Sequence, residues 1–153
     1  SNYTLMMDLI DYCRHHTIEE ILQLPDVRER IDLYNQHTEF ARAQIIRCAK
    51  VHGNLVVLDL RNEETIFATN RFMIYALFPQ INISIHVMWG VQKQKTVFAT
   101  GKSILDRHSR TNIGELMLKY GGGGHHAAGT CQVENAEAEA KLAELIATIN
   151  ADG

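Results

Sequence analysis

No stretch of the 153-residue chain approaches the roughly 20 consecutive apolar residues that cross a bilayer, and no signal-peptide pattern opens it. A membrane-spanning helix is excluded on that count, and the cytoplasm is the expected compartment. Cysteine is scarce as well: Cys13, Cys48 and Cys131 are far apart and form no CxxC pair, which suits a reducing compartment better than a disulfide framework. Excess positive charge is missing. Fifteen Lys and Arg against 18 Asp and Glu leave a formal charge of -3 and a pI near 6.2, so there is no global footprint for long nucleic acid or anionic lipid. Any recognition of phosphate has to be local. The chain holds no internal repeat and no low-complexity tract, and it does not begin with methionine; its opening Ser-Asn reads as a cloning remnant on a fragment.

What is present supports one ordinary core, since 46% of the residues are hydrophobic. The first third has helical periodicity. Leu5, Met6, Leu9, Ile10 and Cys13 recur at three- and four-residue steps, as one buried helix face requires. "TIEE" is a capping box, with Thr17 as N-cap and Glu20 three residues on, and predicts a short second helix. Pro25 can open a third helix. From there Val27, Ile31, Tyr34, Thr38, Ala41, Ile45 and Cys48 keep a 4-3 spacing towards a stop around Gly53. Such a narrow stripe packs on the two preceding helices or against a neighbouring subunit in a homodimer.

After Gly53 the period changes to that of strands. "NLVVLDL" is a continuous apolar run, as in a strand covered on both faces. "NRFMIYALFP" reads as a helix capped by Asn70 and ended before Pro79. "INISIHVMW" alternates, with Ile81, Ile83, Ile85, Val87 and Trp89 on one face and Asn82, Ser84, His86 and Met88 on the other. "KTVFATGKS" is its expected antiparallel neighbour. "NIGELMLKY" is a helix with Asn112 as cap, "GTCQVE" a closing strand, and "AEAEAKLAELIATI" an amphipathic last helix. The expected fold is α/β (α+β): a helical segment, 1–53, read as an appendage of a preceding domain, then a domain over 54–153 with a mixed sheet and packed helices.

Between the fifth of these helices and the closing strand stands "LMLKYGGGGHHAAGT", with four of the chain's ten glycines in a row. Four glycines lose much conformational entropy on ordering, so the string is a floppy tether, a helix stop, or a loop that lets a ligand touch the main chain. One glycine suffices for a left-handed cap after Tyr120. Without Cβ atoms the others can form a concave set of N–H donors for a phosphate, to which His125 can add a charge-assisted bond. The flanking Ala127, Ala128 and Gly129 suit close packing and not a linker.

"GGGGHHAAG" resembles the GGGH signature of the DHH-associated C-terminal domain of DHH-family phosphoesterases, among them oligoribonuclease-like, cyclic-dinucleotide and exopolyphosphatase-related proteins. The likeness runs from about Leu55 to Val133, with "TGKSI" as the family's upstream basic-serine element. It implies that Gly122, Gly123, Gly124 and His125 contact the substrate's phosphate or nucleotide, with Lys102 and Ser103 in the same pocket. His126 joins this set, and so does Arg107, from a cluster with Lys102 and Arg110 that forms either an anion funnel or a solvated loop. The element carries Lys102 where the family often has arginine, a point charge without a bidentate fork. No DHH triplet occurs, and "DRH" at 106–108 and "CRHH" at 13–16 do not replace one. The chain is therefore expected to hold no metal and no catalytic residue of its own. An N-terminal DHH domain in the parent would bind manganese or magnesium.

The resemblance implies the substrate-binding portion of a phosphoesterase acting on short oligonucleotides, dinucleotides or polyphosphate. The alternative is a non-catalytic RNA- or nucleotide-binding module like that appended to alanyl-tRNA synthetases. Elsewhere, Asp59 reads as a strand-end cap, Trp89 and Phe98 as core in preference to base-stacking platforms, and Cys131 as a small buried residue.

Overall fold

A computed structural model describes every residue from Ser1 to Gly153. Helices α1 (Asn2–His15), α2 (Ile18–Leu22) and α3 (Pro25–Cys48) lead into strands β1 (Ala49–His52) and β2 (Leu55–Asp59). Then come α4 (Met73–Leu77), β3 (Ile83–Trp89), β4 (Lys95–Lys102), α5 (Ile113–Leu118), β5 (Gly123–His125), β6 (Ala128–Glu134) and α6 (Ala138–Asp152). The class is α/β, as the change of period indicates. The residues gather into two compact units, Ser1–Ala41 with Phe67–Thr69, and Arg42–Ile66 with Asn70–Gly153. No helix is long and apolar enough to cross a membrane.

In the first unit the capping box forms: Glu20 N–H donates to Thr17 Oγ1 at 3.3 Å, and Thr17 N–H to Glu20 Oε2 at 2.8 Å. The periodic face of α1, however, is not buried. Met6 and Ile10 are exposed and no residue of the helix is inaccessible, because the apolar residues buried in this unit are only Ile21 and Ala41. Periodicity marks a face that can be covered and says nothing of whether a core lies beneath it.

The second unit is built on a six-stranded sheet in the order β1-β2-β3-β4-β6-β5. Strands β2 and β3 are parallel and every other pair is antiparallel. One face carries Leu55, Val57, Ile83, Ile85, Val87, Phe98 and Cys131 against α5 and α6. Full burial of aliphatic side chains of this kind contributes about 1.5–3 kcal/mol each. The other face carries Val56 and Leu58 against Ile45 of α3 and Ile74 and Tyr75 of α4. The first strand departs from expectation: α3 ends at Cys48, and β1 forms a hairpin with β2 across Gly53, whose φ is +63°. Pairing of Val51 with Val56 and of His52 with Leu55 overrides the helical spacing upstream. Asn70 accepts from the Phe72 N–H at 2.9 Å and so caps the turn before α4, which itself starts at Met73. Trp89 lies at the surface and not in the core, its Nε1–H donating to Arg61 O at 2.7 Å, whereas Phe98 is fully buried.

Asn112 caps α5 by accepting from Glu115 N–H. At the other end Gly121, with φ at +76°, closes the helix while Gly122 N–H donates to Met117 O at 3.0 Å. The rest of the glycine string runs into regular structure. Gly123–His125 is the short edge strand β5, paired with β6, and propensity hides it because glycine is among the poorest strand formers.

Two expected outcomes follow from this packing. A Cβ on Gly114 would lie 2.8 Å from Gly124 O, so Gly114→Ala must push α5 off β5 and should lower stability by about 1–3 kcal/mol in a denaturant titration. Near the end of α3, hydrogen bonds from Gln44, Cys48 and Arg47 pull the Glu63 carboxyl down to about 2. A depressed carboxylate stabilises the fold above its ordinary value of 4.5, and that contribution disappears as pH falls towards about 2. Glu63→Gln should therefore show a shallower loss of melting temperature between those pH values than the parent.

Candidate functional site

On the sheet face turned away from α5 and α6, side chains of small volume form a trough beside α4. The strand register sets its floor in two rows. Ser84 pairs with Gly101, Gly101 with Ala128 and Ala128 with His125; one step along, His86 pairs with Ala99, Ala99 with Thr130 and Thr130 with Gly123. Arg71, Phe72 and Tyr75 wall one side, and the cleft encloses about 560 Å³. Tyr75 is fixed in place: its hydroxyl donates to Gly101 O at 3.0 Å and stands 2.8 Å from Ser84 Oγ. Burial pushes its pKa up, so it remains neutral. Arg71 stacks over the Phe72 ring, Cζ to centroid 4.7 Å, at the lip of the cleft.

The four glycines divide their duties. Gly121 closes α5, while a Cβ on Gly122 or Gly124 would strike the main chain of β6, at Thr130 O and Ala128 O. Gly123 alone of the last three has open space where its side chain would be, and that space belongs to the cleft. His125 Nδ1 accepts from Ala127 N–H at 3.2 Å, which leaves the neutral ring's proton on Nε2, free to donate outward. His125, Gly123, Gly124 and Lys102 all line the cleft.

Lys102 is the committed one among them. Its ammonium donates to Ser109 O at 3.0 Å and lies 3.1 Å from His126 Nε2, and burial holds its pKa below the ordinary lysine value. Its own N–H also bonds Ala127 O at 2.9 Å, so both halves of the residue hold the turn between β5 and β6. Ser103 is buried, with its hydroxyl accepting from the N–H groups of Leu105 and Asp106 at 3.1 Å each. Gly122, Ser103, His126 and the exposed Arg107 lie outside the lining. Arg71, Phe72, Tyr75, His86 and Thr130 line it and were not singled out from sequence. The signal for His86 was there, since it stands on the polar side of the best-alternating strand.

Other candidate groups are accounted for structurally. Asp59 Oδ1 accepts from the Arg61 N–H at 3.1 Å, capping the strand's end, and its carboxylate takes the Arg61 fork at 2.9 and 2.6 Å. Burial pushes the Cys131 thiol up to about 11, which leaves it unreactive. Asp106 pairs with His108 at 2.5 Å. No three His, Cys, Asp or Glu side chains of this chain gather as a set of metal ligands.

Comparison with known proteins gives these side chains a context. The chain matches no family model and no curated protein sequence. Among solved structures it is 67% identical to the pGpG-specific phosphodiesterase PggH from Vibrio cholerae, with a TM-score of 0.88 over 100% of this chain and 52% of that one. An exopolyphosphatase-related protein from Bacteroides fragilis, 13% identical, shares the fold with a TM-score of 0.59 over 97% of this chain and 43% of its own. The DHH domain of a member of the S1P family of ribosomal proteins, 15% identical, does so at 0.52 over 81% and 31%. The chain thus spans about half the length of PggH.

The grip of Lys102 has a measurable consequence. Lys102→Met should raise amide exchange at Thr111 and Ile113, whose N–H groups bond Ser109 and His126, by roughly tenfold while leaving the sheet's protection unchanged. Equal exchange in both proteins would mean that the lysine holds nothing.

Proposed function

We propose that this chain, which fits the DHH-associated domain of DHH-family phosphoesterases, is the substrate-binding portion of such an enzyme and grips the phosphate of a short nucleotide substrate in the cleft beside β5. The observation that carries this reading is Gly123, a residue without a side chain facing open space on an edge strand, next to a histidine with a free N–H. A phosphate oxygen can approach the main chain there, and His125 Nε2–H can donate to it. Arg71 at the opposite lip supplies a cation able to form a bidentate pair.

Among short oligonucleotides, dinucleotides and polyphosphate, the identity to a pGpG-specific phosphodiesterase favours a dinucleotide. The reaction would be hydrolysis of a phosphodiester or phosphoanhydride bond, for which manganese or magnesium, held by a DHH domain elsewhere in the parent protein, would supply the activation of water. Residues of this chain bind and orient. The setting is the cytoplasm.

The test is calorimetric titration of the chain, and of its full-length parent, with pGpG. His125→Ala removes a charge-assisted hydrogen bond of about 1.5–3 kcal/mol and should weaken binding by roughly ten- to a hundredfold. Gly123→Ala should keep the melting temperature of the parent, since its methyl meets no atom within 4 Å, yet weaken binding by occupying the cleft. Unchanged affinity in both variants would reduce the glycine string to a structural turn.

A further inference from the structure

One side chain on the floor of the cleft has no task in the protein. The His86 imidazole makes no hydrogen bond, although its neighbours Tyr75 and Ser84 are bonded to each other and to Gly101. It is mostly buried, and that burial lowers its pKa, so at neutral pH the ring offers one donor and one acceptor. Along its register row stand Ala99, Thr130 and Gly123. The first is a methyl, the last has no side chain, and between them the Thr130 hydroxyl is likewise unbonded. His86 and Gly123 lie on strands three steps apart in the sheet, and at a spacing of about 4.8 Å per step the row is about 14 Å long. That length accommodates a nucleoside monophosphate laid across the strands. With the phosphate at Gly123 and His125, the base reaches His86.

We infer that His86 is a specificity-determining residue, which reads the hydrogen-bonding edge of a nucleobase lying over Ala99 while the phosphate end of the same nucleotide sits at Gly123 and His125. This rests on the phosphate reading above and adds the direction in which the ligand lies. The flat floor of Ala99, Gly101 and Ala128 admits a planar ring, and Phe72 stands at its side. The imidazole supplies a free donor and a free acceptor beside Ala99, where the nearby Tyr75 and Ser84 hydroxyls are already bonded to each other. A base that cannot satisfy them leaves a desolvated group unpaired, which is how such sites discriminate.

Calorimetry with GMP, CMP and ribose 5-phosphate on the parent chain, His86→Ala and His86→Gln separates the two ideas. The parent should bind one of the nucleotides more tightly than ribose 5-phosphate. His86→Ala should weaken that nucleotide by roughly five- to tenfold, the value of one hydrogen bond, with ribose 5-phosphate changed by less than about twofold. His86→Gln should recover part of the loss. In the unsubstituted chain the His86 ring resonances should move on adding the nucleotide and stay in place on adding ribose 5-phosphate, which tests the contact even if a variant fails to fold. Equal binding of nucleotide and ribose 5-phosphate, or an equal loss of both in His86→Ala, would overturn the role of His86 and leave the phosphate site standing. Failure of all three ligands to bind would bring down the phosphate site, and His86 with it.

Discussion

Main chain packed directly on main chain, where α5, β5 and β6 meet, is the constraint on which the cleft depends. Gly114, Gly122, Gly124 and Gly129 each stand where a Cβ would press into a carbonyl or backbone atom of a neighbouring element. These approaches cannot be relieved by a rotamer change, because the atoms on the other side belong to the chain itself. Their effect is to bring an edge strand with almost no side chains up to the end of a sheet. That strand is what gives the cleft a wall of bare backbone next to His125.

The rest of the second unit keeps this edge in place from two directions. Ile83, Ile85 and Val87 of β3 fill the face against α5 and α6, and β4 pairs with that strand along its length. From β4 the alternation carries Ala99 and Gly101 to the cleft side and Phe98 to the core side. Lys102, at the end of the same strand, then ties the turn after β5 through Ser109, Ala127 and His126. A lysine that resemblance places against the substrate is thus already bonded within the protein, with partners for two of its three ammonium donors.

Charge elsewhere is similarly committed. Arg61 is shared between Asp59 and Glu139, and Glu63 is surrounded by Gln44, Arg47 and Cys48. The chain carries a net charge of -3, yet neither network draws on a cation of the cleft. Asp59, Glu63 and Glu139 thus face partners of their own, and the guanidinium of Arg71 remains at the cleft over an aromatic ring.

Much of this was legible in the residues. Alternation from Ile81 to Trp89 located β3 and assigned His86 to its polar side, capping chemistry located α2 and α5, and the glycine-histidine string marked the site. Local rules suffice there, since a strand's two faces and a helix's first turn are set by residues a few positions apart. Sequence did not reveal that α1 buries nothing, that Val51 and His52 leave the helix to pair with β2, or that Gly123–His125 is a strand. Nor did it show which of the glycines faces ligand and which faces carbonyl. Those outcomes were decided by contacts between segments far apart in the chain, where a pairing strand or an approaching backbone outweighs propensities of well under 1 kcal/mol per residue.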